Sequence, residues 1–109
     1  MTASAPTGDE LLAVLATLAN PHRLRVVATL ANRQMYVSEL ARELGISRAL
    51  LQIHLRKLEA AGLVSARLEV SEDGKAMKFY QVTPFTYRLT PQTVEAAVRT
   101  LHADREDPR

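Results

Sequence analysis

Five side chains within nine residues carry the strongest chemical signal in this sequence: Arg48, Ala49, Gln52, Ile53 and Arg56. Steps of three and four place them on one face of a helix. A guanidinium donates two hydrogen bonds in a fixed fork and matches the O6 and N7 of guanine. A carboxamide matches N6 and N7 of adenine, and the methyls of Ala49 and Ile53 fit a thymine methyl. The chemistry these residues suit is non-covalent reading of base edges by a helix lying in a major groove. Catalysis has no comparable support, because no serine, histidine and acid arrangement, glycine-rich phosphate loop or paired carboxylates stand out. His22, His54 and His102 include no pair at i and i+4, the spacing that would aim two ligands at one metal from one helix. Cysteine is absent, which excludes disulfides and thiolate metal sites. No cofactor, no metal and no enzymatic activity are therefore expected.

The elements that must position this face run from Val37 to Gly62. A first helix is expected with Ser38 as its N-cap and Leu40, Ala41 and Leu44 on one side. Gly45 then stops it by taking the left-handed conformation, and Ile46 drops back between the helices. Ser47 caps the second helix, whose Leu51, Leu55 and Leu58 form a buried stripe up to Gly62. The small Ala41 allows the two helices to cross closely. Two helices joined by so tight a turn predict a helix-turn-helix over 38–62, with an ordinary helical hairpin as the alternative.

Beyond Gly62 the apolar period changes from three-and-four to two, giving alternating segments at 63–70 and 76–82. Asp73-Gly74 at the centre of a two-residue turn would pair Val70 with Met77, Leu68 with Phe79 and Glu69 with Lys78, the register being open by a residue or two. A hairpin directly after a helix-turn-helix makes a winged helix, with the wing over 63–83. Arg67, Lys75 and Lys78 would reach phosphate in or beside the minor groove, although Glu69, Glu72 and Asp73 lie among them. Met35 to Val37 is short and extended, suited to pair with that sheet.

Upstream, Thr7 to Glu10 has the form of a capping box and opens a helix that is apolar nearly all round. Leu11, Val14, Leu15 and Leu18 make one stripe and Leu12, Ala16 and Ala19 another, more than one core contact covers in so small a domain. Asn20-Pro21 starts the next helix, with Leu24, Val27, Ala28 and Ala31 as its expected packing face. Thr90-Pro91 starts the last, with Val94, Ala97, Val98 and Leu101 as its stripe. A helix this short needs outside packing. The terminal helices, 7–19 and 91–103, are therefore expected to form a dimer interface through Leu11, Leu12, Leu15, Leu18, Val94, Val98 and Leu101. The expected architecture is one mainly α domain over 1–109 with a β-hairpin wing, its ends at 1–6 and 104–109 disordered.

The formal net charge is only +2, but its distribution is uneven. Between Pro21 and Arg67 there are eight basic and three acidic residues, so the middle is basic and the ends are acidic. That is the footprint expected where the centre meets phosphate. The apolar run from Leu11 to Ala19 is too short for a bilayer and follows two acids rather than the basic segment of a signal peptide, so a cytoplasmic protein with no membrane partner is expected.

The runs Leu18 to Arg25 (LANPHRLR), Val37 to Ala41 (VSELA), Gly45 to Ser47 (GIS), His54 to Leu58 (HLRKL) and Ala60 to Val64 (AAGLV) together resemble the ArsR family of bacterial winged-helix repressors, over roughly residues 10–83. The resemblance implies a homodimer that engages an operator of two-fold symmetry and whose DNA affinity answers to a signal. Many members place cysteines where this chain has Tyr36 and Ser38. Others place Asp, His and Glu ligands on the last helix, where this chain has only His102 and Asp104, so metal sensing is not expected at either place. Leu50 stands where a small hydroxyl residue is usual.

Two functions follow. The first is a homodimeric repressor of double-stranded DNA, in which Arg48 and Gln52 read base edges, Ala49 and Ile53 touch thymine methyls, and Ser47, Arg56 and the wing hold the backbone. The second is a winged helix used as a protein-interaction module, with Leu50 and Ile53 as an apolar docking patch. An unknown small-molecule effector is compatible with the first, as is a closed apolar dimer core.

Overall fold

The computed structural model describes residues 5–102. Five helices and a small antiparallel sheet follow in the order α1 (Gly8–Leu18), α2 (Pro21–Leu30), β1 (Met35–Tyr36), α3 (Val37–Leu44), α4 (Arg48–Ala60), β2 (Val64–Val70), β3 (Ala76–Val82) and α5 (Pro91–Val98). Of the ends expected to be disordered, 1–4 and 104–109 lie outside the described residues. Three helix starts follow from local side-chain chemistry. Thr7 accepts from the Glu10 N–H while Glu10 accepts from the Thr7 N–H, Asn20 accepts from the Arg23 N–H, and Thr90 accepts from the Thr93 N–H.

The core gathers Val26 and Leu30 of α2, Leu40 and Ala41 of α3, Leu51, Leu55 and Leu58 of α4, and Met35, Val64 and Tyr80 of the sheet. Strand β3 lies between β1 and β2, so the expected extended segment at Met35 joins the sheet, pairing with Tyr80.

Four expectations need correction. Ser38 does not cap α3: β1 runs straight into the helix, Tyr36 occupies the cap position, and no side-chain cap hydrogen bond forms. The core face of α2 is Val26 and Leu30; of the four expected residues only Val27 packs against that core, with Leu24, Ala28 and Ala31 exposed. Both sets have helical spacing, but Val26 and Leu30 together bury more apolar surface than the alanines do. The last helix ends at Val98 rather than near 103; the N–H groups of Arg99, Thr100 and Leu101 close three-residue turns onto Ala96, Ala97 and Val98.

The hairpin register is displaced by one residue from the expected one: Val70 pairs with Ala76, Leu68 with Lys78 and Glu69 with Met77. The cause is the turn. The Gly74 N–H donates to the Ser71 carbonyl at 2.9 Å and the Ser71 N–H to the Lys75 carbonyl at 2.8 Å. This encloses a three-residue loop that ends on Gly74 at φ +84°, left-handed. The Ser71 hydroxyl accepts from the Lys75 N–H and bonds the Asp73 carboxylate, which holds that carboxyl below its ordinary range.

Candidate nucleic-acid interface

The turn into α4 is built from two conformational devices. Gly45 takes φ 68°, ψ 32°, and its N–H and that of Ile46 satisfy the last carbonyls of α3. Ser47 then accepts from the Leu50 N–H at 3.1 Å. Leu51, Leu55 and Leu58 anchor α4 with no exposed surface at all. The opposite side is therefore fixed in space: Ser47, Arg48, Ala49, Ile53 and Arg56 are exposed and Gln52 is half-buried. Sequence spacing brings these six together as expected.

Electrostatics mark this face as unusual for a free helix. Arg48 occupies the first position of α4, and the first turn carries no acid. A cation is unfavourable at the positive end of a helix dipole. Among the described residues neither Arg48 nor Arg56 has a carboxylate within ion-pair distance. An arginine and free N–H groups together at a helix start present a positive surface to an anion.

The bacterial regulatory protein family arsR matches residues 20–66, which is α2 through the start of the wing. A helix-turn-helix transcriptional regulator of Methanocaldococcus jannaschii is 35% identical over 78 residues, covering 72% of this chain and 81% of that protein. The chain belongs to the ArsR family. Among solved structures similar to this member, NolR from Sinorhizobium fredii is 25% identical, covers 91% of this chain and 92% of its own, and superposes with a TM-score of 0.62. The homodimeric winged helix-turn-helix DNA-binding domain of a Mycobacterium bovis protein is also 25% identical, covering 84% and 70%, with a TM-score of 0.61. This ArsR-family chain is a winged-helix, DNA-binding transcription regulator.

The wing residues are less uniform than the helix. Lys75 is exposed in the turn, Lys78 lies 5.6 Å from the centre of the Tyr80 ring, and Arg67 is held by Glu69 at 2.7 Å. Part of the positive charge on the wing is thus neutralised within it. Beyond this, Leu68 and Val70 extend the core face of β2 into solvent.

The seven terminal-helix residues separate into two groups. Leu11 is buried inside the protomer, Leu18 packs against its core, and Leu101 is half-buried. Leu12, Leu15, Val94 and Val98 face outward. Gly8 sets the distance between α1 and α5, since a Cβ there would collide with the Ala97 carbonyl; its N–H donates to the Thr100 hydroxyl at 2.8 Å. His102 closes the same corner, its backbone N–H and ring Nδ1 meeting the two Asp9 oxygens at 3.1 and 2.7 Å.

One pairing escapes a search along single helices. The ring of His54 on α4 lies 5.2 Å from that of His22 on α2, and both His54 nitrogens are buried without a hydrogen-bond partner. Burial, then the charges of Arg23, His22 and Lys57, hold its pKa below 6.5. Those cations oppose a metal ion here, and among the described residues no group of three ligating side chains forms. No described helix is long and apolar enough to cross a membrane.

Proposed function

We propose that the chain acts as a homodimeric repressor on an operator of two-fold symmetry. Arg48 and Gln52 read base edges, Ala49 and Ile53 contact thymine methyls, and Ser47, Arg56 and the wing residues Arg67, Lys75 and Lys78 hold the backbone. The observation that carries this reading is the unpaired arginine at the first position of α4 beside exposed methyl groups, on a helix whose other side is locked into the core. Leu12, Leu15, Val94 and Val98 form the contact between copies, with no metal or cofactor needed to complete the DNA-binding face.

The test is fluorescence anisotropy on a fragment of the chain's own upstream DNA. Affinity falls steeply between about 50 and 200 mM salt as phosphate counterions are released. Arg48→Ala costs about 1–3 kcal/mol and relaxes base preference at one position. An Arg48→Ala protein with unchanged affinity and selectivity would move the reading face elsewhere.

One observation favours a second reading. Leu50 and Ile53 are 36% and 44% exposed on the outward side of α4, enough for an apolar protein contact. Binding through that patch would barely respond to salt, which separates it from DNA binding in the same titration.

A further inference from the structure

We propose that a cavity between α1, α5 and the segment joining β3 to α5 binds a small aromatic monocarboxylate. The cavity measures about 280 Å³, near the lower end of the size range of ligand sites. Leu11, Tyr87, Ala96 and Ala97 give it apolar walls, and Thr86 and Arg88 are the polar lining residues whose side chains make no hydrogen bond or ion pair among the described residues. Thr93 also lines it, but its hydroxyl is committed, donating to the Arg88 carbonyl at 2.8 Å and accepting from the Thr90 N–H at 2.9 Å. The Arg88 side chain is exposed and, among the described residues, has no carboxylate in ion-pair range.

The charge balance selects the ligand. Among the described residues no acidic side chain lines the cavity; Glu10 borders only the wider cleft that also meets Thr86 and Tyr87, and there its carboxylate is engaged by the Thr7 N–H. Among these residues a cation would find no anionic partner, whereas a carboxylate would take a forked pair of hydrogen bonds from Arg88 while a flat ring lies against Leu11, Tyr87 and the alanines. An occupant touches α1, α5 and the chain leading out of the wing at once, so it would couple the terminal helices to the DNA-binding half. That consequence rests on the function proposed above, but binding itself is measured without DNA.

Isothermal titration calorimetry of the full chain with benzoate tests the site, with benzamide as the neutral probe of the same shape. Saturable benzoate binding is expected, with benzamide at least about tenfold weaker because it lacks the charge that Arg88 recognises. Arg88→Gln lowers benzoate affinity to the benzamide level, and Ala96→Phe, which fills the space, abolishes both. Both positions are exposed, and a thermal midpoint equal to that of the parent confirms that each variant is folded. Absence of saturable benzoate binding, equal affinity for the two probes, or benzoate binding untouched by Arg88→Gln overturns the proposal.

Discussion

In the helix-turn-helix, Leu40 of α3 and Leu51, Leu55 and Leu58 of α4 lose all contact with solvent inside one protomer, and the outward side of α4 is left to arginine, glutamine and small or branched apolar groups. The pair formed by α1 and α5 is built from residues just as apolar, yet Leu12 and Val98 keep 50% and 55% of their surface exposed. Ala41 is buried in the first pair, and Gly8 approaches the Ala97 backbone closely in the second. They differ in what lies on the other side. The sheet and α2 cover the helix-turn-helix, whereas α1 turns Val14 and Leu18 toward the core and α2, α5 packs against α1, and Leu12, Leu15, Val94 and Val98 stay exposed among the described residues. One region is complete within the chain, and the other has the composition of an interface.

That contrast is broken most severely in the core. Leu55→Ala leaves a void in the buried cluster that holds Leu51, Leu58 and Tyr80, and is expected to cost about 2–5 kcal/mol in urea denaturation. Leu12→Ala removes a side chain of the same size and is expected to cost far less within a single protomer. Equal losses at the two positions would show that α1 is covered as fully as α4.

Val98→Asp addresses the second side of the terminal pair. In a dimer closed by Leu12, Leu15, Val94 and Val98 it places an unpaired carboxylate in the apolar contact, weakening association by about 3 kcal/mol while leaving the protomer folded. Light scattering and circular dichroism read the two effects separately. A parent chain that is already monomeric at micromolar concentration would leave these four residues without a covering partner.

Gly8→Val tests the inner side. The added Cβ meets backbone rather than a flexible side chain, so α1 and α5 must separate, and the Gly8 to Thr100 hydrogen bond is strained with them. The expected cost is about 1–3 kcal/mol, read as a lower thermal midpoint. Its site is remote from α4, so any loss of DNA affinity here would report on dimer geometry rather than on base contacts.

How much of this was legible in the sequence depends on how far apart the deciding atoms are. Thr7, Asn20, Ser47 and Thr90 announce their helix starts because a cap and the N–H that donates to it lie within three residues. The alternation in 63–82 announces a hairpin, but its register depends on whether Gly74 or the Asp73-Gly74 pair turns the chain, and Ser71 settles that through bonds to Lys75. On α2 two apolar sets share helical spacing, and it is the way the helix rolls onto the core that buries Val26 and Leu30 with Val27 beside them. The outward face of α4 was readable because its inward leucines are unambiguous. The meeting of His22 with His54 was not, because it depends on how two helices cross.

That meeting gives the smallest effect and the most selective one. In the unfolded chain His54 takes up a proton near its ordinary value of 6.5, whereas in the folded chain burial and the charges of Arg23, His22 and Lys57 hold its pKa lower. The unfolded state therefore binds more protons as pH falls through 6.5, and folding stability declines until the pH is below the folded value. His54→Leu removes two buried nitrogens that have no partner, so it is expected to be neutral or stabilising at pH 7.5 and to lose less stability than the parent at pH 5.5. Urea midpoints of parent and variant at the two pH values give the comparison directly. Parallel losses in both proteins would show that the acid sensitivity does not arise at His54.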